Sequence, residues 1–73
     1  MAESVFAVIQ RRQIEIIVGE LLLNSDYQMR QEIAERLRHL IAHADPSLDL
    51  AQLSEGAQEE LVDLGILSPP AVE

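Results

Sequence analysis

Apolar residues recur at three- and four-residue spacing in three stretches of this chain, and each stretch predicts an amphipathic helix. The clearest runs from Asp26 to about His43, where Tyr27, Met29, Arg30, Ile33, Leu37, Leu40, Ile41 and Ala44 share one side. Ser25 or Asp26 can cap its first turn, with Gln28 placed to return a capping-box bond to Ser25. Glu32 and Arg36 have the spacing of a favourable i, i+4 pair. Asp45-Pro46 ends the pattern, because the residue before a proline is pushed out of the helical region.

Upstream, Gln13 to Leu23 carries Ile14, Ile17, Val18, Leu21 and Leu22 on one stripe, and Asn24-Ser25 supplies the turn. If this helix extends back to Ser4, then Val5, Ile9, Ile16 and Leu23 project from nearly the opposite side. A helix apolar on two sides needs two neighbours. One is the following helix; the other is a third helix, a second subunit or a partner protein. The stretch from Val5 to Val18 is rich in Val and Ile and reads with period two (Val5, Ala7, Ile9) as well as with period 3.6. We expect a helix or a disordered extension there rather than a strand.

In the last third, Leu48, Leu50 and Leu53 lead to Ser54, an expected N-cap, after which Ala57, Leu61, Val62 and Leu64 face inward. Glu55, Glu59 and Glu60 suit the positive end of that helix. Gly65 followed by Ile66 has the form of a Schellman stop, with glycine left-handed and the next apolar residue packed back on the last turn. Ser68 to Glu73, with Pro69-Pro70, reads as an extended tail. The expected fold is an all-α, three-helix miniprotein: a helical hairpin plus a shorter third helix, with an N-terminal segment either helical or flexible. The corresponding division is 1–12 as a partner-binding segment, 13–67 as the helical body and 68–73 as a mobile tail.

Composition limits this picture further. A chain of 73 residues buries only about 60% of its unfolded surface, so it forms one domain or an obligate oligomer. Its residues are 48% hydrophobic, yet it has one Phe, one Tyr and no Trp, so the core must be aliphatic. Without Cys there is no disulfide or thiolate metal site. No apolar run reaches the roughly 18 to 20 residues of a membrane span, since Arg11, Arg12, Glu15 and Glu20 interrupt the longest. Met1 to Glu3 lacks the basic start of a secretory signal. The expectation is a cytoplasmic protein with no membrane contact.

The net charge of -8 is uneven. Up to Ala44, six acids (Glu3, Glu15, Glu20, Asp26, Glu32, Glu35) face five arginines. Beyond it stand seven acids (Asp45, Asp49, Glu55, Glu59, Glu60, Asp63, Glu73) and no base. Lys is absent. A phosphate-binding surface needs clustered Lys and Arg in excess, so direct nucleic-acid binding is not expected.

Catalysis has little to use. There is no Cys or Lys nucleophile, the serines are scattered and the three glycines are isolated, so neither an enzyme nor a cofactor site is expected. His39 and His43 lie at i, i+4 with Glu35 one turn earlier, a spacing able to hold a divalent metal. A zincin motif would require Glu at position 40, where this chain has Leu, and no third ligand is evident. We read the pair as a solvated polar face near a helix C-terminus, with no metal.

The N-terminal run carries more apolar surface than a three-helix domain of this size needs. Val5, Phe6, Val8 and Ile9, followed by Arg11 and Arg12, have the aromatic-plus-arginine composition of interface anchors. These six are the expected partner-binding residues, the hydrophobic core or a homodimer seam being the other uses for them. Two rival readings belong to other classes. A ribbon-helix-helix antitoxin would use the N-terminus as a strand, but its outward residues (Phe6, Val8 and Gln10, or Val5, Ala7 and Ile9) lack side chains to read base edges. An acidic DNA mimic would use the acids after Ala44.

Over its whole length the chain resembles the very small acidic proteins that tailed bacteriophages make to rebind host RNA polymerase. The likeness is one of size and character rather than of a signature motif, with Ala2-Glu3-Ser4-Val5-Phe6-Ala7-Val8-Ile9-Gln10-Arg11-Arg12 beside a helical body from Ile14 to Leu67. The resemblance implies that this opening segment contacts the amino-terminal part of the large catalytic subunit of bacterial RNA polymerase. It further implies interference with the sigma factor, block of sigma-dependent initiation, readthrough of terminators, and residence in the host bacterial cytoplasm.

Overall fold

A computed structural model describes residues 3–68. It contains three α-helices and, among the described residues, no strand: α1 at Val5–Leu23, α2 at Tyr27–Ala42 and α3 at Glu55–Asp63, with a single 3-10 turn at Leu50–Gln52. The all-α, three-helix expectation holds. The ambiguous stretch from Val5 to Val18 is helical throughout, so the boundary placed between residues 12 and 13 falls inside α1. Pro69 to Glu73, most of the expected tail, lie outside the described residues.

Each helix begins where a short polar side chain accepts a free backbone N–H. Ser4 Oγ accepts from Ala7 N–H at 3.0 Å, Asp26 Oδ1 from Gln28 N–H at 3.0 Å, and Ser54 Oγ from Ala57 N–H at 3.3 Å. Such caps contribute about 1 kcal/mol each by satisfying donors that the first turn leaves open. Asp26, not Ser25, is the cap of α2, so no capping box forms with Ser25. Asn24 Oδ1 instead accepts from Asp26 N–H at 3.0 Å and shapes the turn.

The end of α3 is the Schellman stop that Gly65-Ile66 suggested. Gly65 has φ +78, Gly65 N–H donates to Val62 O at 3.0 Å and Ile66 N–H to Leu61 O at 2.9 Å. That left-handed conformation is open to glycine because it has no Cβ to meet the following carbonyl.

The core is one aliphatic cluster. Ile14, Val18 and Leu21 of α1 meet Ile33 and Leu37 of α2, Leu53 of the connecting loop, and Ala57 and Leu61 of α3. Half-buried Ile17, Leu40, Ile41, Leu48, Leu50 and Leu64 pack around it. Leu22, Tyr27 and Met29, expected inside, are exposed. The three lie close to the turn between α1 and α2 and outside the aliphatic cluster; on α2, Tyr27 and Met29 flank the face that carries Ile33 and Leu37 rather than sharing it.

Candidate functional site

The long connection from α2 to α3 is held to α1 by polar side chains. Asp49 N–H donates to Glu3 Oε2 at 2.9 Å, Ser4 N–H to Ser47 Oγ at 2.9 Å, and Asp45 N–H to Gln10 Oε1 at 2.9 Å. One helical turn further on, the Glu15 carboxylate accepts from both Ser54 N–H at 2.7 Å and Ser54 Oγ–H at 2.9 Å, fixing the residue that caps α3. Arg11 joins this seam through Glu3, at 2.9 Å. Two carboxylates in the seam titrate below their ordinary values. Glu3 is lowered first by the Asp49 N–H and then by Arg11, and Asp45 first by the Ser47 hydroxyl and then by the Ser47 N–H.

The opposite face of α1 is bare. Val5 is 76% exposed, Phe6 72%, Ile9 49%, Ile16 59% and Leu23 90%, and Val8 and Leu22 are exposed as well. At 3.6 residues per turn, Val5, Val8, Ile9 and Arg12 stand at i, i+3, i+4 and i+7 and so share one side of the helix. Phe6 lies about 100° round from Val5, on the flank shared with Gln13. Arg11 belongs to the other edge, half-buried and committed to Glu3.

The six expected partner-binding residues therefore divide into three positions. Val5, Val8, Ile9 and Arg12 form one surface, Phe6 adjoins it, and Arg11 is in the loop-holding seam. Residues beyond Arg12 extend the surface: Ile16 and Leu23 continue the line, with Leu22 at its edge. The signal for them was the apolar second side of α1. They fall outside a site confined to residues 1–12 because that boundary treats as separable what is one rigid helix about 28 Å long.

Arg12 is the single arginine with no carboxylate within 4.0 Å among the described residues. Arg11 pairs with Glu3, Arg30 with Glu60, Arg36 with Glu20, and Arg38 with Glu35. The anticipated Glu32–Arg36 pair does not form; Arg36 reaches across to Glu20 at 3.8 Å, linking α2 to α1. Gly19 also lies on the bare face, in mid-helix, where glycine costs about 1 kcal/mol relative to alanine. A Cβ built there meets nothing within 4 Å, so no packing within the described chain requires a glycine.

Other groups offer less. The His39 and His43 rings pack against one another, centroids 4.5 Å apart and tilted by 50°, and among the described residues no three His, Asp or Glu cluster as a metal site. Glu55, Glu59 and Asp63 form an exposed acidic row on α3 at i, i+4 and i+8. Among the described residues, no helix is long and apolar enough to cross a membrane. No family model, no curated protein and no solved structure matches this chain.

Proposed function

We propose that this chain is a non-enzymatic docking protein that presents the outer face of α1 to a larger protein, and that this protein is bacterial RNA polymerase. The observation that carries the docking is the exposed row Val5, Val8, Ile9 and Arg12, because anchors at i, i+3, i+4 and i+7 are how a helix enters an apolar groove. Phe6 beside the row adds aromatic area. The polymerase as target rests on the chain's resemblance to small acidic phage regulators of transcription.

The mechanism in this reading is steric. α1 occupies a surface on the amino-terminal part of the large catalytic subunit that the sigma factor also uses, so initiation is blocked and termination is altered. Val8 and Ile9 would each contribute about 1.5–3 kcal/mol if fully desolvated. Arg12, free of an ion-pair partner among the described residues, orients the helix against an acidic group on the polymerase. The ribbon-helix-helix alternative needs a strand where α1 begins and is not carried forward. The acidic-mimic alternative places activity on Glu55, Glu59 and Asp63.

The test is binding to purified core RNA polymerase by biolayer interferometry, with competition by sigma factor. Wild type is expected to bind and to compete; Ile9→Glu is expected to lose at least tenfold in affinity while keeping its helical spectrum. Glu55→Gln, Glu59→Gln, Asp63→Asn is expected to bind like wild type. No binding by wild type, or equal binding by Ile9→Glu, removes the proposal. Loss confined to the acidic triple variant moves it to the DNA-mimic class.

A further inference from the structure

The outward residues of α1 follow a stricter pattern than mere exposure. Val5, Ile9, Arg12, Ile16, Gly19 and Leu23 are separated by alternating steps of four and three, the 3.5-residue repeat of a helix that pairs with another helix. The side facing α2 and α3 is already occupied by Ala7, Ile14, Val18 and Leu21, so the repeat serves no neighbour within the described chain.

The row is also close to self-complementary when read backwards. We infer that a second copy of this chain covers it, with the two α1 helices antiparallel about a two-fold axis at Ile14. In that register Val5 of one copy meets Leu23 of the other, and Val8 meets Leu22 along one flank. Ile9 sits over Gly19, where the missing side chain makes room for it and for close approach of the backbones. The mid-helix glycine that nothing in its own chain explains thus has a packing role, a bulky residue on one helix against a vacancy on the other.

Charge agrees with the same register. Arg12, without an internal partner among the described residues, packs its stem on Ile16 of the second copy and brings its guanidinium toward Glu15 of that copy, at the edge of the face, where each carboxylate oxygen already accepts from Ser54 and keeps a second lone pair for the arginine. The symmetry produces the contact twice, so two arginines alternate with two carboxylates around the axis. A parallel pairing would instead bring Arg12 against Arg12. An isologous contact of this kind closes on itself as a dimer and leaves no open end.

The dimer stands independently of the polymerase reading; only one corollary rests on that reading. Val5, Val8 and Ile9 serve both contacts, so the dimer and the polymerase-bound form exclude one another, and the dimer shields the apolar row until the target is met.

Sedimentation equilibrium across the micromolar range tests the association. The expected mass is twice the 8.2 kDa of the chain for wild type and that of a single chain for Gly19→Leu. Because a Cβ at position 19 meets nothing within 4 Å among the described residues, Gly19→Leu is expected to keep its helical spectrum and to melt no lower than the wild-type monomer. Association is read on the protein alone, with no polymerase present, so failure of the dimer is distinguishable from failure of the proposed function. Orientation is read by crosslinking, for which a chain without cysteine is suited: Val5→Cys mixed with Leu23→Cys gives a disulfide dimer, and neither variant alone does. A monomeric wild type, a Gly19→Leu protein that still dimerises, or self-crosslinking of either single variant overturns the inference.

Discussion

The two faces of α1 have nearly the same composition and opposite circumstances. Inward, Ile14, Val18 and Leu21 are covered, and the polar residues at their edges, Gln10, Arg11 and Glu15, each hold something: a loop amide, Glu3, or the Ser54 cap. Outward, Ile9, Ile16 and Leu23 are bare, and the residues among them, Arg12 and Gly19, have no role within the described chain. Apolar content therefore does not say which side of a helix is core. The polar residues beside each row do, because a carboxylate or amide aimed at a backbone N–H fixes what lies against that side, whereas an unpaired arginine leaves the side open.

The sharpest test of this contrast substitutes the same residue type on both faces. Ile14→Ala removes a fully buried side chain and is expected to cost about 2–5 kcal/mol. That is a large share of the stability of so small a domain and would show as a collapse of the thermal transition followed by circular dichroism. Ile16→Ala, measured at concentrations too low for association, is expected to change stability by no more than about 0.5 kcal/mol. Equal effects would mean that the outer face is packed in the free chain.

The glycines give an intermediate effect of opposite sign. Gly65→Ala places a Cβ at φ +78 and is expected to destabilise by about 1–2 kcal/mol. Gly19→Ala relieves a mid-helix glycine and is expected to stabilise the monomer by about 1 kcal/mol. Chemical denaturation of both variants at low concentration decides it.

The smallest effect is on the polar seam. Glu3 and Asp45 are held below their ordinary values of 4.5 and 3.8. A carboxyl lowered in the folded state favours folding while ionised, so its contribution is complete above the unfolded value and is lost as pH falls through the folded one. The melting temperature of wild type is thus expected to drop on acidification below the ordinary carboxylate range. The Glu3→Gln, Asp45→Asn variant is expected to start lower at neutral pH and to show a shallower fall.

Much of the candidate surface was legible in the sequence because helical periodicity alone places Val5, Ile9, Ile16 and Leu23 on the side opposite Ile14 and Leu21. Its extent was harder to read. Phe6 and Arg11 belong to the same run as Val5 and Arg12, and only a helical conformation for that run sends Phe6 to a flank and Arg11 to the seam. With a period-two alternative open, residues adjacent in sequence could not be sorted by face.

Local chemistry determined the three helices and their stops: a serine cap at Ser54, a glycine stop at Gly65 and proline after Asp45 act within a turn of themselves, so the chain order is enough to see them. The exposure of Tyr27 and Met29 and the roles of Glu3, Gln10 and Glu15 were decided only by tertiary structure. Those roles depend on contacts between positions 35 to 46 residues apart, and no short-range pattern encodes which distant amide a side chain will find.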